Sequence, residues 1–281
     1  MLIFLIALLL NNAHAEKINP IGTDTHMHVQ GPKPEFGDMD YGAGRALFAV
    51  ESSGLNRAII ISNGYYSAIT EKEAQTENTY IAVETKKNPK RLVGACSINP
   101  KTSWAAQELK RCKNSGLKVL KLHLVASGID LKNKKDIESL QNILKLAEEE
   151  KFTVLVHGNY PFETRDTEIA IFIKTINDFS KVKFIIAHAM GKDFEHLIKI
   201  NNPNVLFEIS AIVVQRIKSD RKQEFVNTIR KIGIDKFLFG SDWPVIHPSE
   251  TIYALKQFPF SEEELKKITI TNASQLNYLF Q

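Results

Sequence analysis

Eight short apolar runs recur along the chain, at roughly 22–28, 57–62, 92–98, 118–124, 153–158, 183–189, 205–210 and 237–242. Several are apolar at consecutive positions instead of alternating, as in Ala58-Ile59-Ile60-Ile61 and Lys183-Phe184-Ile185-Ile186-Ala187. That pattern predicts strands buried on both faces of a parallel sheet. Between the runs the apolar positions repeat with helical spacing. Ile137, Leu140, Ile143, Leu144 and Ala147 form one stripe, and 71–87, 103–116, 166–179, 192–200 and 220–232 read as further helices. Strand then helix, eight times over, predicts an α/β protein: a single (β/α)8 TIM barrel with parallel strands. A doubly wound open sheet is the competitor. The segment Met27-His28-Val29-Gln30-Gly31 after the first strand is no glycine-rich phosphate loop. Residues 30–45, with four Gly and two Pro, predict a long loop on the face where barrels build their sites.

The two ends of the pattern differ in character. Leu2 to Leu10 is apolar and is followed by Asn11-Asn12 and Ala13-His14-Ala15. This reads as a signal peptide over 1–15, although its start carries no Lys or Arg, leaving a barrel domain over 16–281. The run is far short of the ~20 residues that span a bilayer. The expectation is an exported protein, periplasmic or secreted, with no membrane association after cleavage. A hydrophobic share of 43% and a mean hydropathy of −0.17 fit a globular chain with a sizeable core. The net charge of +4 is spread over helices, as at Lys145, Glu148, Glu149, Glu150 and Lys151, which predicts a solvated surface and no nucleic-acid partner. A homo-oligomer stays open. Cys96 and Cys112 fall on an outward strand position and a helix face that meet at one interface. Two buried free thiols are the expectation, with a disulfide the less favoured reading.

The chemistry sits where the apolar runs end. In Asp24-Thr25-His26-Met27-His28, positions i and i+2 face one side of a strand, so two imidazoles aim at one point. His157, His188 and Asp242 close three later runs. Only a closed sheet brings the first and eighth strands together. Imidazoles with a carboxylate suit a divalent ion such as zinc, and an incomplete shell leaves room for a water. Lys121 and His123 share parity on the fourth strand and are candidates to face the same pocket. His247, after Pro244, is a further candidate lining residue; His196 reads as surface. Asn63, Tyr65, Asn159, Arg165, Ser210 and Arg216 are polar residues at or after strand ends that could orient a substrate.

On these residues the chain resembles the amidohydrolase superfamily, in the branch that holds aminocarboxymuconate semialdehyde decarboxylase. The segments that carry the resemblance are Asp24 to His28, Lys121-Leu122-His123, Val156-His157, Ala187-His188-Ala189-Met190-Gly191, Gly240-Ser241-Asp242-Trp243-Pro244 and Ile270-Thr271-Asn272-Ala273. The resemblance implies one divalent ion, zinc by expectation, held by His26, His28, His157 and Asp242. It implies Asp242 and His188 as catalytic groups, with His188 polarising water or substrate from outside the ion's shell, and Lys121 and His123 as substrate contacts, beside which His247 is the candidate contact read from its position. The implied activity is a metal-dependent hydrolase cleaving an ester, lactone or amide of a small carboxylate-type substrate. A non-oxidative decarboxylase on the same barrel is the alternative.

Overall fold

The computed structural model describes residues 22–31, 41–158 and 165–281. Eight strands are present: β1 (Thr23–His28), β2 (Arg57–Ile61), β3 (Leu92–Ser97), β4 (Val119–Leu122), β5 (Thr153–His157), β6 (Lys183–Ala187), β7 (Val205–Glu208) and β8 (Phe237–Leu238). They form one sheet in chain order, each parallel to the next. The first strand closes on the last. Thr25 donates its N–H to the Phe239 carbonyl at 3.0 Å, and Asp242 donates to the His26 carbonyl at 2.8 Å. The expected (β/α)8 barrel is therefore the fold.

Side-chain parity sorts the interior from the helix-facing layer. Ile59, Ile61, Val93, Ala95, Val119, Leu155 and Ile185 pack together inside, and the C-terminal segment Asn272–Phe280 adds Leu276 and Leu279 to that cluster. Ala58, Ile60, Leu120, Val154, Phe184 and Phe207 face outward into the larger core shared with the helices. The same alternation carries Lys121 inward with Val119, and His157 inward with Leu155.

The flanking helices form where the sequence supplies caps and stripes. Helix α1 spans Ala43–Ser52 and cuts short the loop predicted over 30–45. Helix α2 (Glu71–Lys87) starts in a capping box of Thr70 and Glu73. Helix α3 (Ala105–Asn114) carries Cys112, and α4 (Lys134–Glu149) buries Leu140, Ile143, Leu144 and Ala147 of the predicted stripe. Then follow α5 (Arg165–Asp178), α6 (Ile212–Gln215), α7 (Lys222–Ile232), α8 (Pro248–Leu255) and α9 (Glu262–Lys266). The helix predicted over 192–200 is part of a kinked 3₁₀ segment, His188–Lys199. No helix among the described residues is long and apolar enough to cross a membrane. The segment predicted as a signal peptide, 1–15, lies outside the described residues, as does Asn159.

The thiol expectation is corrected. Cys96 faces outward and meets Cys112 as the parity predicts, but the two form a disulfide, with Cα atoms 5.9 Å apart. Facing positions on a strand and its covering helix put the Cα atoms within the span a disulfide requires.

Candidate active site

The site lies at the C-terminal ends of the strands, where the backbone leaves the ladder. His188, Ala189 and Met190 have φ of 59°, 41° and 59°, and Asp242 has φ 65°. Non-glycine residues at such angles store local strain, which concentrates at functional sites. Here it turns His188 and Asp242 off their strands into a cavity of about 270 Å³. His28, His123, His157, His188 and Asp242 line that cavity together with Asn63, Tyr41, Tyr65 and Tyr66. A larger groove of about 730 Å³ runs between α5 and His196/Lys199, but the imidazole and carboxylate groups converge in the smaller one.

Three ligand-type atoms meet at the centre. His26 Nε2 and His28 Nε2 are 3.1 Å apart, and Asp242 Oδ1 is 3.4 Å from each. Two ligands about 2.1 Å from a tetrahedral ion stand about 3.4 Å from one another. His26 Nδ1 faces Glu208 Oε2 at 2.9 Å, so Nδ1 carries the hydrogen and Nε2 the lone pair. The donor set thus fits a divalent cation. Without one, the lone pair of His26 is directed at a second imidazole nitrogen and a carboxylate. Lys121 is fully buried, with Nζ 2.9 Å from His26 Nε2. Its ammonium thus lies on the Nε2 side of His26, below the cavity floor, and Lys121 is not among the cavity-lining residues.

His157 joins this centre through His188: His188 Nε2 and His157 Nδ1 are 3.1 Å apart. His123 stacks on His157 with centroids at 3.8 Å and planes within 10°. Ala126 donates its N–H to His123 Nδ1 at 3.3 Å, which leaves Nε2–H as the donor of that ring. His247 sits elsewhere. Its Nδ1 accepts from Ser249 N at 3.3 Å as the N-cap of α8, and it is not among the cavity-lining residues. A proline at N1 and a side-chain acceptor at the cap are what a helix start requires, so the His247-Pro248 pair is explained locally. Trp243 packs edge-on against Tyr41 at 5.9 Å.

Burial sets the protonation pattern. It holds His26, His28 and His157 well below the ordinary imidazole value, with Lys121 and the neighbouring imidazoles adding to the effect, and pushes His123 down to about 3. Neutral imidazoles are the ligating form. Burial also raises Asp242 to about 7, against the pull of Lys121, and lowers Lys121 to about 8, against the pull of Asp242 and Glu208.

Sequence reading missed two acids. Asp24 Oδ1 accepts from His26 N at 3.1 Å and from Ser241 N at 3.0 Å, tying the His-x-His motif to the turn before Asp242; burial raises it to about 7. Glu208 is fully buried on β7 and binds His26 and Ser210. A signal for it existed: Glu208 is the single charge in Val205-Leu206-Phe207-Glu208-Ile209-Ser210 and shares parity with Ser210.

Comparison with known proteins accords with this geometry. The amidohydrolase family model matches residues 23–276. A dihydroorotase of Aliivibrio fischeri is 25% identical over 167 residues, covering 55% of this chain. The match spans 47% of that relative, about half its length. Among solved structures, 5-carboxyvanillate decarboxylase from Sphingomonas paucimobilis has a TM-score of 0.68 at 12% identity, covering 92% of this chain and 99% of that one. A dihydroxybenzoic acid decarboxylase from Polaromonas sp., with bound manganese and the inhibitor 2-nitroresorcinol, has a TM-score of 0.65 at 16% identity, covering 94% and 98%. An uncharacterised TIM-barrel protein from Bordetella bronchiseptica reaches 0.71 at 13% identity, covering 92% and 99%. At these identities the structural likeness speaks for the fold.

Proposed function

The chain belongs to the amidohydrolase family, and we propose that it is a metal-dependent hydrolase that cleaves an ester, lactone or amide bond of a small carboxylate-type substrate. One observation carries this reading. Asp242 Oδ1 stands 3.4 Å from two imidazole nitrogens, His26 Nε2 and His28 Nε2, that are themselves 3.1 Å apart and converge on one point.

His26, His28 and Asp242 would hold one divalent ion, zinc in this reading, with His157 completing the set. When bound, the ion supplies Lewis acidity, acidifying a water and polarising a substrate oxygen. The chain's own groups divide the remaining work. Asp242 accepts a proton at its carboxylate oxygen and returns it to the leaving group. His123, with Nδ1 occupied by Ala126, offers Nε2–H to a substrate oxygen. His188, tied down at Nδ1 by Ser210, presents Nε2 beside His157 and polarises water or substrate from there. Tyr41, Tyr65 and Tyr66 give the cavity aromatic walls for a flat or cyclic substrate. Lys121 stands with Nζ against the ligand atom of His26 and so competes with the ion for it.

A decarboxylase is the second reading, favoured by the decarboxylases among the structural neighbours. The same ion and imidazoles would then hold a carboxylate-bearing aromatic acid. Purified protein loaded with zinc(II) or manganese(II) and assayed on esters, lactones, amides and hydroxybenzoates separates the two. Acid release without carbon dioxide supports hydrolysis, and carbon dioxide release supports the alternative. Failure of the wild type to retain either ion after reconstitution would sink both.

A further inference from the structure

Glu208 binds one site imidazole directly and the backbone of the residue that carries a second. It is fully buried, and its two oxygens meet four donors, the longest being the backbone N–H of His188 to Oε2 at 3.5 Å. Oε2 takes the Nδ1–H of His26 at 2.9 Å and the hydroxyl of Ser210 at 2.8 Å, while Oε1 takes the backbone N–H of Ser210. Having given its hydrogen to Glu208, the Ser210 hydroxyl is left as an acceptor, and His188 Nδ1 stands 3.0 Å from it and 3.1 Å from the Ser210 carbonyl. Both rings therefore carry hydrogen on Nδ1. Their Nε2 lone pairs then face the site, that of His26 among Lys121 Nζ, His28 and Asp242, that of His188 toward His157.

We propose that Glu208 is a positioning residue shared by β1 and the start of the segment after β6: it fixes the tautomer of His26 and holds the backbone N–H of His188, and so sets the affinity of the site for its ion. This rests on the metal-site reading given above. Strand 8 is shaped around the same carboxylate. A Cβ on Gly240 would stand 2.6 Å from Glu208 Cδ and 2.8 Å from Cγ, so the carboxylate would have to shift. Only glycine at 240 lets the carboxylate reach His26 while Asp242, two residues on, enters the cavity.

Glu208→Gln tests the idea with little change of shape. The amide NH₂ must face either Ser210 N–H or His26 Nδ1, and each choice sets donor against donor. The first measurement is the long-range ¹H–¹⁵N histidine spectrum of metal-free protein, where the wild type should show His26 and His188 as Nδ1–H tautomers. Glu208→Gln should lose that assignment for His26, while His188, whose Nδ1–H still has the Ser210 carbonyl as acceptor, should keep it in both Glu208→Gln and Ser210→Ala. The second is zinc(II) or manganese(II) affinity by chelator competition, with folding checked by near-ultraviolet circular dichroism. Glu208→Gln should bind about 10–100-fold more weakly, the usual cost of losing such an outer partner. Gly240→Ala, which displaces the carboxylate without altering it, should weaken binding in the same direction and decides the matter if Glu208→Gln does not fold. Wild-type tautomers together with an affinity within about threefold of wild type, well inside that range, would overturn the proposal. If the wild type binds no ion, the metal reading falls, and the tautomer spectra still judge Glu208.

Discussion

Asp242 donates its backbone N–H to the carbonyl of His26 at 2.8 Å, while its own Oδ1 stands 3.4 Å from His26 Nε2. The two residues that close the barrel, last strand onto first, are thus the two whose side chains converge at the site. Fold closure and site assembly are one event here, because neither geometry exists until β1 and the segment after β8 have met.

That coupling makes Asp242→Asn informative. The amide is nearly isosteric, keeps the backbone bond to His26, and tolerates the positive φ of 65°. The barrel should stay folded while the oxygen that accepts the proton is lost. We predict a fall of about 10²–10⁴ in rate, or roughly 3–5 kcal/mol of transition-state stabilisation. The check is kcat/KM against pH for both proteins at matched metal content. Wild-type activity should rise with pH through the apparent value of the metal-loaded site, which belongs to the interacting groups as a whole. If the variant keeps more than about a third of the activity, another group is the base, and His188 stands next to it.

How much of this could be read from the sequence follows from which interactions are periodic. Strand runs and His-x-His are regular patterns, so the barrel, and the convergence of His26, His28 and Asp242, were legible. His188 and Asp242 end their runs in positive-φ turns that no periodicity announces, and β8 pairs over only Phe237–Leu238 before bending inward. Glu208 and Asp24 act by satisfying buried donors, a three-dimensional accounting that a linear pattern does not contain. Cys96 and Cys112 were placed on the right faces, but parity alone does not say whether two adjacent thiols are oxidised. His247 was drawn toward the cavity by its place after strand 8, whereas the helix start at Pro248 uses its side chain.

The Cys96–Cys112 bridge pins β3 to α3 across a sequence separation of 16. Unreduced protein unfolded in guanidinium should show no free thiol, and reduced protein two. Closing a loop of this length removes about 3 kcal/mol of unfolded-state entropy, so Cys96→Ala/Cys112→Ala should lose stability of that order in denaturant titrations. Two reactive thiols in protein prepared under oxidising conditions would contradict the bridge. The bond also suits the exported location proposed from residues 1–15, since disulfides persist in oxidising compartments.

Metal-free protein should be acid-labile. Burial lowers His26, His28, His123, His157 and His188. As pH falls below about 6.5, the unfolded chain takes protons that these buried rings refuse, and stability is lost. Asp24 and Asp242, raised to about 7, and Glu208, also raised, work the other way, because the folded chain binds their protons first. Five imidazoles against three carboxyls leave the unfolded state the better proton binder. Each unbalanced proton costs about 1.4 kcal/mol per pH unit. The thermal midpoint in chelator should fall from pH 7 to pH 5, and a midpoint that rises on acidification would reverse the balance.

Lys121 yields the last prediction. Its Nζ lies 2.9 Å from His26 Nε2, the atom that would face the ion, and burial has lowered it to about 8. Near pH 7 it is still mostly an ammonium, and an ammonium at that distance repels a dication and competes for the same lone pair. In the wild type, ion affinity should therefore rise as pH rises through about 8, because deprotonation of Lys121 removes the competitor. Lys121→Met fills similar volume without the charge. It should bind zinc(II) on the order of tenfold more tightly at pH 7, about 1.4 kcal/mol of partly screened repulsion relieved, and its affinity should no longer climb through pH 8. Chelator competition between pH 6.5 and 9 on both proteins reads the two effects separately. Weaker binding by Lys121→Met would show that the Lys121 side chain helps to hold the ion, and the single-ion reading of the site would have to be redrawn around it.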